Sequence, residues 1–257
     1  MSSGNSRFFV YKKLTEEQVI EFDGKGYLFL GRTLTEEGLE KIREQVMAVW
    51  RAKKGKFDPS KTWLQNALIS DIHCWALLAR DYYFSGPLVD ISEQLIGPNI
   101  KAATSQLTFK MRGNTQTFAW HQDNGYGELD PYNSLSTLTA LDDCNQENGC
   151  LWVLLGSKAK GQILQHKPDL PREIRMEVDE SKALPIEMRA GDACVMHCWT
   201  LHKSGPNLSK TKDRRILFMR FADADAVEVY NNRVPRLGRL LRGTTRFKKV
   251  RQYEAEF

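Results

Sequence analysis

Two side chains near the middle of this sequence have the types and spacing to hold a metal ion from one side. His121 and Asp123 are separated by a single residue in the run Trp120-His-Gln-Asp123. In extended backbone alternate side chains point the same way, so this imidazole and this carboxylate share a face. Two ligands on one strand can bind one ion with little further ordering of the chain. A third ligand has to come from a distant segment, and the chain offers five histidines in all: His73, His121, His166, His197 and His202. Two histidines and one carboxylate, with the remaining positions open, are the ligand set of oxygen-activating ferrous centres. An H-x-D pair alone is unspecific, so the second half of the chain has to carry the weight.

There, Gly191-Asp192 opens an apolar run that leads into His197-Cys-Trp-Thr-Leu-His202-Lys-Ser-Gly-Pro-Asn207. His197 and His202 compete for the third position. They are an odd number of residues apart, so one regular strand would point them to opposite sides. Arg214 follows twelve residues after His202, with Arg215 beside it. His73 and His166 have no ligand-like neighbours.

The elements that must position these groups fall into two textures. Thr15-Glu-Glu-Gln18 is a capping-box pattern, followed by Val19, Ile20 and Phe22 as a short amphipathic helix ended by Gly24 and Gly26. Residues 27–30 read as a strand. Thr35 caps a longer helix with Leu39, Ile42, Val46 and Val49 or Trp50 at helical spacing. A third helix has Ser85 as cap, Pro87 in its first turn, Leu88, Ile91 and Leu95 on its apolar face, and a Gly97-Pro98 stop. From about residue 100 the segments shorten and become strand-like: 107–111, 135–141, 151–155, 193–197 and 216–221, separated by Gly- and Asn-containing turns. The expected fold class is mainly β with flanking helices. A jelly-roll or cupin-type double-stranded β-helix forms the core, and most helices come from the amino-terminal third. One domain spans 1–257, with a helical part at about 14–98, a β-helix core at about 100–225 and a basic tail at about 230–257. Arg236, Arg239 and Arg242 in that tail are three apart and read first as a solvated helical face.

Composition agrees with a soluble globular chain, at 41% hydrophobic and 27% charged residues. The net charge of +5 favours an anionic small-molecule partner over a neutral one and falls short of a nucleic-acid footprint. Cys74, Cys144, Cys150, Cys194 and Cys198 include no C-x-x-C pair and read as buried thiols of a reducing compartment. No apolar run approaches the roughly 20 residues of a membrane span, and residues 1–6 lack the apolar stretch of a secretory signal. The expected location is cytoplasmic, without membrane or nucleic-acid partners.

Taken together, Trp120-His-Gln-Asp123, Ala140-Leu-Asp-Asp143, Glu147-Asn-Gly-Cys-Leu151, Gly156-Ser157 and the Gly-Asp, His, Ser-Gly, Asn and Arg run resemble the phytanoyl-CoA dioxygenase family of Fe(II)/2-oxoglutarate oxygenases. The likeness runs from about residue 14 to about residue 225. Each motif is unspecific alone, and their order and spacing are specific together. The resemblance implies a double-stranded β-helix with ferrous iron on His121, Asp123 and His202, the later histidine being the one followed by Ser-Gly and Asn. It implies 2-oxoglutarate chelating that iron, its far carboxylate on Arg214, with Ser204 as a second donor. Gln122, Gln106 and Leu138 would be cosubstrate neighbours. The family often carries an aromatic at the position of Leu138, and its histidine-to-arginine spacing is one residue shorter than here.

The reaction so implied consumes O2, converts 2-oxoglutarate to succinate and CO2, and hydroxylates an unactivated C–H bond. The carboxylate of Asp123 argues against halogenation, for which a related enzyme leaves that position to chloride. Desaturation, cyclisation or epimerisation at the same site, a non-catalytic cupin-like binding module and a zinc hydrolase are the alternatives. For substrate contact the sequence offers Tyr126 in the loop after the first ligands, Lys203 toward an anionic group, and Trp63 and Trp75 as an apolar wall. Ordinary surface or core roles compete for each.

Overall fold

The helices form where capping and apolar spacing demand them. In this computed structural model, which describes residues 7–58, 60–163 and 178–252, Thr15 caps α1 (Glu16–Lys25). The capping box is reciprocal, and left-handed Gly26 ends the helix. Phe22 is buried, whereas Ile20 points to solvent. After β1 (Tyr27–Arg32), Thr35 caps α2 (Glu36–Lys54), whose Leu39, Ile42, Val46 and Trp50 are buried at the expected spacing.

Two helices escaped the periodicity argument. Short α3 (Trp63–Ala67) leads into β2 (Leu68–Ser70), and α4 (Leu77–Ser85) precedes α5 (Pro87–Ile96). Ser85 is therefore the last residue of α4 instead of the cap of α5, a position held by Gly86. Buried Tyr82, Tyr83 and Phe84 make α4 apolar nearly all round at one end, so it shows little helical periodicity. Residues 1–6 and the carboxyl end lie outside the described residues, as does His166.

The strands continue with β3 (Ile100–Lys110), β4 (Phe118–His121), β5 (Leu129–Asp130), β6 (Ser134–Ala140), β7 (Leu151–Leu154), β8 (Ala183–Ile186), β9 (Asp192–His197), β10 (His202–Ser204) and β11 (Arg214–Asp223). Short β12 (Val227–Glu228), β13 (Val234–Pro235), β14 (Leu240–Arg242) and α6 (Lys248–Gln252) complete the chain. Seven strands form the large sheet in the order β1-β9-β6-β11-β3-β14, with β2 also on β3. Four form the small one, β4-β10-β7-β8, and every pairing in both is antiparallel. The tail is not a helical face, because Arg236 and Arg239 lie in the segment between β13 and β14 and Arg242 ends β14. No helix among the described residues is long and apolar enough to cross a membrane.

Strand alternation divides the large sheet between two environments. On β11, Leu217, Met219 and Phe221 join the core under the helices. Arg214, Ile216, Phe218 and Arg220 alternate with them, and Ile216 and Phe218 meet Val153 of the small sheet in a second apolar cluster. Register turns this alternation into cross-strand rows on the inward face. Lys110 stands opposite Arg214, and Phe218 stands between Gln106 and Leu138. Arg220 stands between Thr104 and Ser136.

A bulge in β3 shifts the register at Ala103, and one side chain from α4 fills it. Tyr83 Oη accepts from Ala103 N at 2.8 Å and Thr104 N at 2.9 Å and donates to Arg220 O at 2.6 Å. Replacing Tyr83 by Phe leaves two buried N–H groups without that acceptor, a cost of about 1–3 kcal/mol. For a chain of this size that corresponds to a fall in Tm of roughly 3–10 °C, measurable by circular dichroism. An unchanged Tm would remove the bulge plug from the account of stability.

Candidate metal centre

Both histidines of the site are set by one strand pairing. β4 and β10 are neighbours in the small sheet, and His202 stands directly opposite His121. Their ring centroids are 4.0 Å apart. Asp123 opens a single helical turn just beyond β4, with extended Gln122 between. Its Oδ1 lies 3.9 Å from His121 Nε2 and 3.6 Å from His202 Nε2. The ligand atoms of the three residues lie within 4.8 Å of one another.

Backbone carbonyls fix which imidazole nitrogen faces inward. His121 Nδ1 is 2.8 Å from Ala119 O, and His202 Nδ1 is 3.0 Å from Thr200 O. A carbonyl only accepts, so each Nδ1 carries the proton and each Nε2 presents a lone pair. Asp123 Oδ2 accepts from Ser136 Oγ at 2.5 Å, which leaves Oδ1 for the two imidazoles. Three acceptors therefore converge in a buried space. Burial above all, then the neighbouring His202, pushes the His121 imidazole down to about 3, so its Nε2 stays a free acceptor near neutrality. A divalent cation would suit this donor set, and three protein ligands, one fewer than a closed structural zinc site uses, would fit a ferrous ion.

A second buried charge lies on the inward face. Arg214 is 3% exposed, its Nε has no hydrogen-bond partner, and it forms no ion pair among the described residues. Arg215 points the other way and binds Asp142 through Nε at 2.7 Å and Nη2 at 2.6 Å, so its guanidinium is already committed. Opposite Arg214, fully buried Lys110 donates to Ser204 Oγ at 2.8 Å and to the carbonyls of Ser204 and Gly205. An uncompensated buried guanidinium is costly, and a diacid cosubstrate would supply the missing carboxylate.

The remaining predicted residues divide by strand face. Gln106 and Leu138 flank Phe218 on the inward face. Gln122 does not join the ligands: Nε2 donates to Gly161 O and Trp199 O, and Oε1 accepts from Ile163 N. Alternation turns it to the other side of the chain, where it pins two loops. His197 accepts from Trp199 N and packs on that indole, away from the triad. His73 is bonded to Ser105 Oγ. Lys203 pairs with Glu180 at 2.6 Å over the Trp120 ring, one residue out of phase with His202, so it does not face a substrate. The Tyr126 ring stands edge-on to His121 at 5.2 Å, beside Phe118. Trp75 is exposed, and the side chain of Trp63 lies outside the described residues.

Sequence reasoning missed Ser136, Lys110 and Arg220. Lys110 was within reach, since the alternation of 107–111 puts it in phase with Gln106 and Thr108. Ser136 and Arg220 had no local signal, because their importance comes from the pairing that brings both beside the Asp123 loop. Arg220 Nη1 donates to Gly127 O at 2.9 Å, and Nη2 reaches Asn124 Oδ1 and Ser134 Oγ. Replacing Ser136 by Ala is expected to weaken Fe(II) binding about 10- to 100-fold while leaving the fold intact. Metal titration with circular dichroism checks this, and wild-type affinity in the variant would refute the role.

Comparison with known proteins agrees with this geometry. The model of the phytanoyl-CoA dioxygenase (PhyH) family matches residues 22–216. Phytanoyl-CoA dioxygenase 1 of Oryza sativa subsp. japonica is 25% identical over 84% of this chain and 91% of its own. A methylphosphonate hydroxylase of Gimesia maris is 26% identical over 84% of this chain and 85% of its own. Among solved structures, the non-haem alpha-ketoglutarate-dependent carbocyclase SnoK from nogalamycin biosynthesis superposes with a TM-score of 0.69 at 21% identity, covering 90% of this chain and 95% of that one. By its family match and its converging ligand triad, the chain belongs to the phytanoyl-CoA dioxygenase family of non-haem Fe(II)- and 2-oxoglutarate-dependent oxygenases.

Proposed function

We propose that this chain, acting as one domain, hydroxylates an unactivated C–H bond of a small anionic molecule, with iron on His121, Asp123 and His202. The observation that carries the reading is the convergence of three acceptors by the small sheet, together with a buried guanidinium on the large sheet that has no ion pair among the described residues. Iron(II) with 2-oxoglutarate supplies an oxidation by O2 that releases succinate and CO2 and inserts oxygen at carbon.

The chain's own residues position and select. Ala119 O and Thr200 O hold the imidazoles, and Ser136 holds the carboxylate. Arg214 receives the far carboxylate of the cosubstrate as a planar fork. Lys110 donates to Ser204 Oγ, so the hydroxyl proton of Ser204 is turned toward that same carboxylate. Gln106 and Leu138 form the walls beside it. Asp123 and a dianionic cosubstrate do not neutralise a ferrous ion together with Arg214 and Arg220. The surplus positive charge favours an anionic substrate, in keeping with the relative named for methylphosphonate.

Succinate formation with ferrous iron and 2-oxoglutarate, matched by O2 consumption, tests the reaction class; absence of turnover with metal bound would leave a binding module. Arg214→Met is expected to weaken 2-oxoglutarate at least about 30-fold in an anaerobic Fe(II) titration. An unchanged affinity would move the anchor elsewhere.

A pH dependence follows from Lys110. Burial first, then the field of Arg214, lowers its ammonium to about 6. A bound dianion raises it again, so above about 6 binding takes up a proton and 2-oxoglutarate affinity grows as pH falls, levelling below that value. Lys110→Met should flatten this slope, and calorimetry in two buffers of different ionisation enthalpy measures the proton directly.

A further inference from the structure

Outside the metal centre the structure holds a cavity of about 750 Å3, which none of His121, Asp123 or His202 lines. Its volume falls within the range of small-molecule sites. It opens where one stretch of β3 runs between the 70–75 turn and the basic segment after β12. Lys53, Arg236, Arg239 and Lys249 line it against two carboxylates, Asp71 and Glu228. Glu228 is already held by Arg236 Nη1 at 2.8 Å, so among the described residues the wall keeps a positive excess.

Two of these cations lie over aromatic rings of the same wall. Lys53 Nζ is 3.5 Å from the Trp75 ring centroid, and the Arg239 guanidinium is 5.1 Å from that of Phe84. Trp75 is 57% exposed, an expensive placement for an indole that supports nothing in the core. The turn that presents it starts at Asp71, a non-glycine residue at φ +52°, in the left-handed region. Backbone strain of this kind persists where the surroundings impose it, and it is concentrated at ligand sites. Exposed indole, flanking cations and strained turn together suit an organic anion with a flat or apolar body.

A row of cross-strand neighbours links the cavity wall to the reaction centre. Thr104 on its wall stands opposite Arg220, Arg220 stands opposite Ser136, and Ser136 binds Asp123. Two strand spacings, roughly 10 Å, separate the first of these from the third. We propose that this cavity binds the phosphate- or carboxylate-bearing end of the substrate, with Arg239 and Lys53 meeting the anion and Trp75 its apolar body. The proposal rests on the reading of an anionic substrate given above. It also gives the basic carboxyl-terminal segment a role in binding.

Calorimetric titration of the full chain, metal-free, with phenyl phosphate, benzoate and neutral benzyl alcohol tests it. Saturable binding of one or both anions is expected, with none of the alcohol. Preference between the two anions identifies the headgroup. Affinity should fall at least about tenfold in Arg239→Ala and in Trp75→Ala, and be retained in Lys53→Arg. Lys53→Gln, on the exposed end of α2, provides a second removal if Arg239→Ala fails to fold. The proposal is overturned if neither anion saturates, if the alcohol binds as well, or if the folded removal variants bind like the wild type. The anaerobic Fe(II)/2-oxoglutarate absorption is followed separately and should survive in all these variants. Its failure in the wild type would sink the oxygenase reading while leaving the anion result to stand.

Discussion

Two imidazole nitrogens and a carboxylate oxygen aimed at one point are the constraint on which this structure turns. All within 4.8 Å of one another, they repel unless a cation sits between them. The fold nevertheless locks each in place: carbonyls behind both imidazoles, a hydroxyl behind the carboxylate, and direct strand pairing of His121 with His202. The arrangement costs energy in the empty protein and repays it on binding metal, so ligand geometry is set before the ion arrives.

Around that point the inward face is built as a graded row of charge. Ser136 and Arg220 lie beside the Asp123 loop, Gln106, Phe218 and Leu138 come next, and Lys110 with Arg214 closes the far end. Small-sheet residues complete the opposite wall, with Ser204 tied to Lys110. Buried cations at both ends of this face favour an anion between them. Arg220 contributes twice, since it bolts the loop carrying Asp123 to β6 and adds positive potential beside it.

Much of this could be read in the residues. The capping box at Thr15, the spacing of α2 and five of the later strands follow local rules that tertiary packing did not overturn. The ligand triad was legible because H-x-D on extended chain has one geometric meaning, and because the motifs downstream keep a recognisable order. Failures occurred where local signals are silent. α4 is buried almost all round at one end and shows no stripe, Ser85 has the chemistry of a cap but ends a helix instead, and the arginines three apart sit in irregular chain. Gln122 was misjudged because it neighbours two ligands in sequence, and in extended backbone a sequence neighbour faces the other way; the same rule turns Lys203 outward, the ordinary surface role that competed for it.

By itself the sequence determined the fold class, the family and the three side chains that converge, since all of these rest on residue type and on the order and spacing of motifs. Only tertiary structure decided which groups surround them. Whether Arg214 or Arg215 faces inward, what holds the Asp123 carboxylate, where Lys110 ends up and which residues wall the cavity beside β3 all depend on strand register. Register arises from pairing between segments tens of residues apart, and a slip of one position would exchange every inward side chain for its outward neighbour.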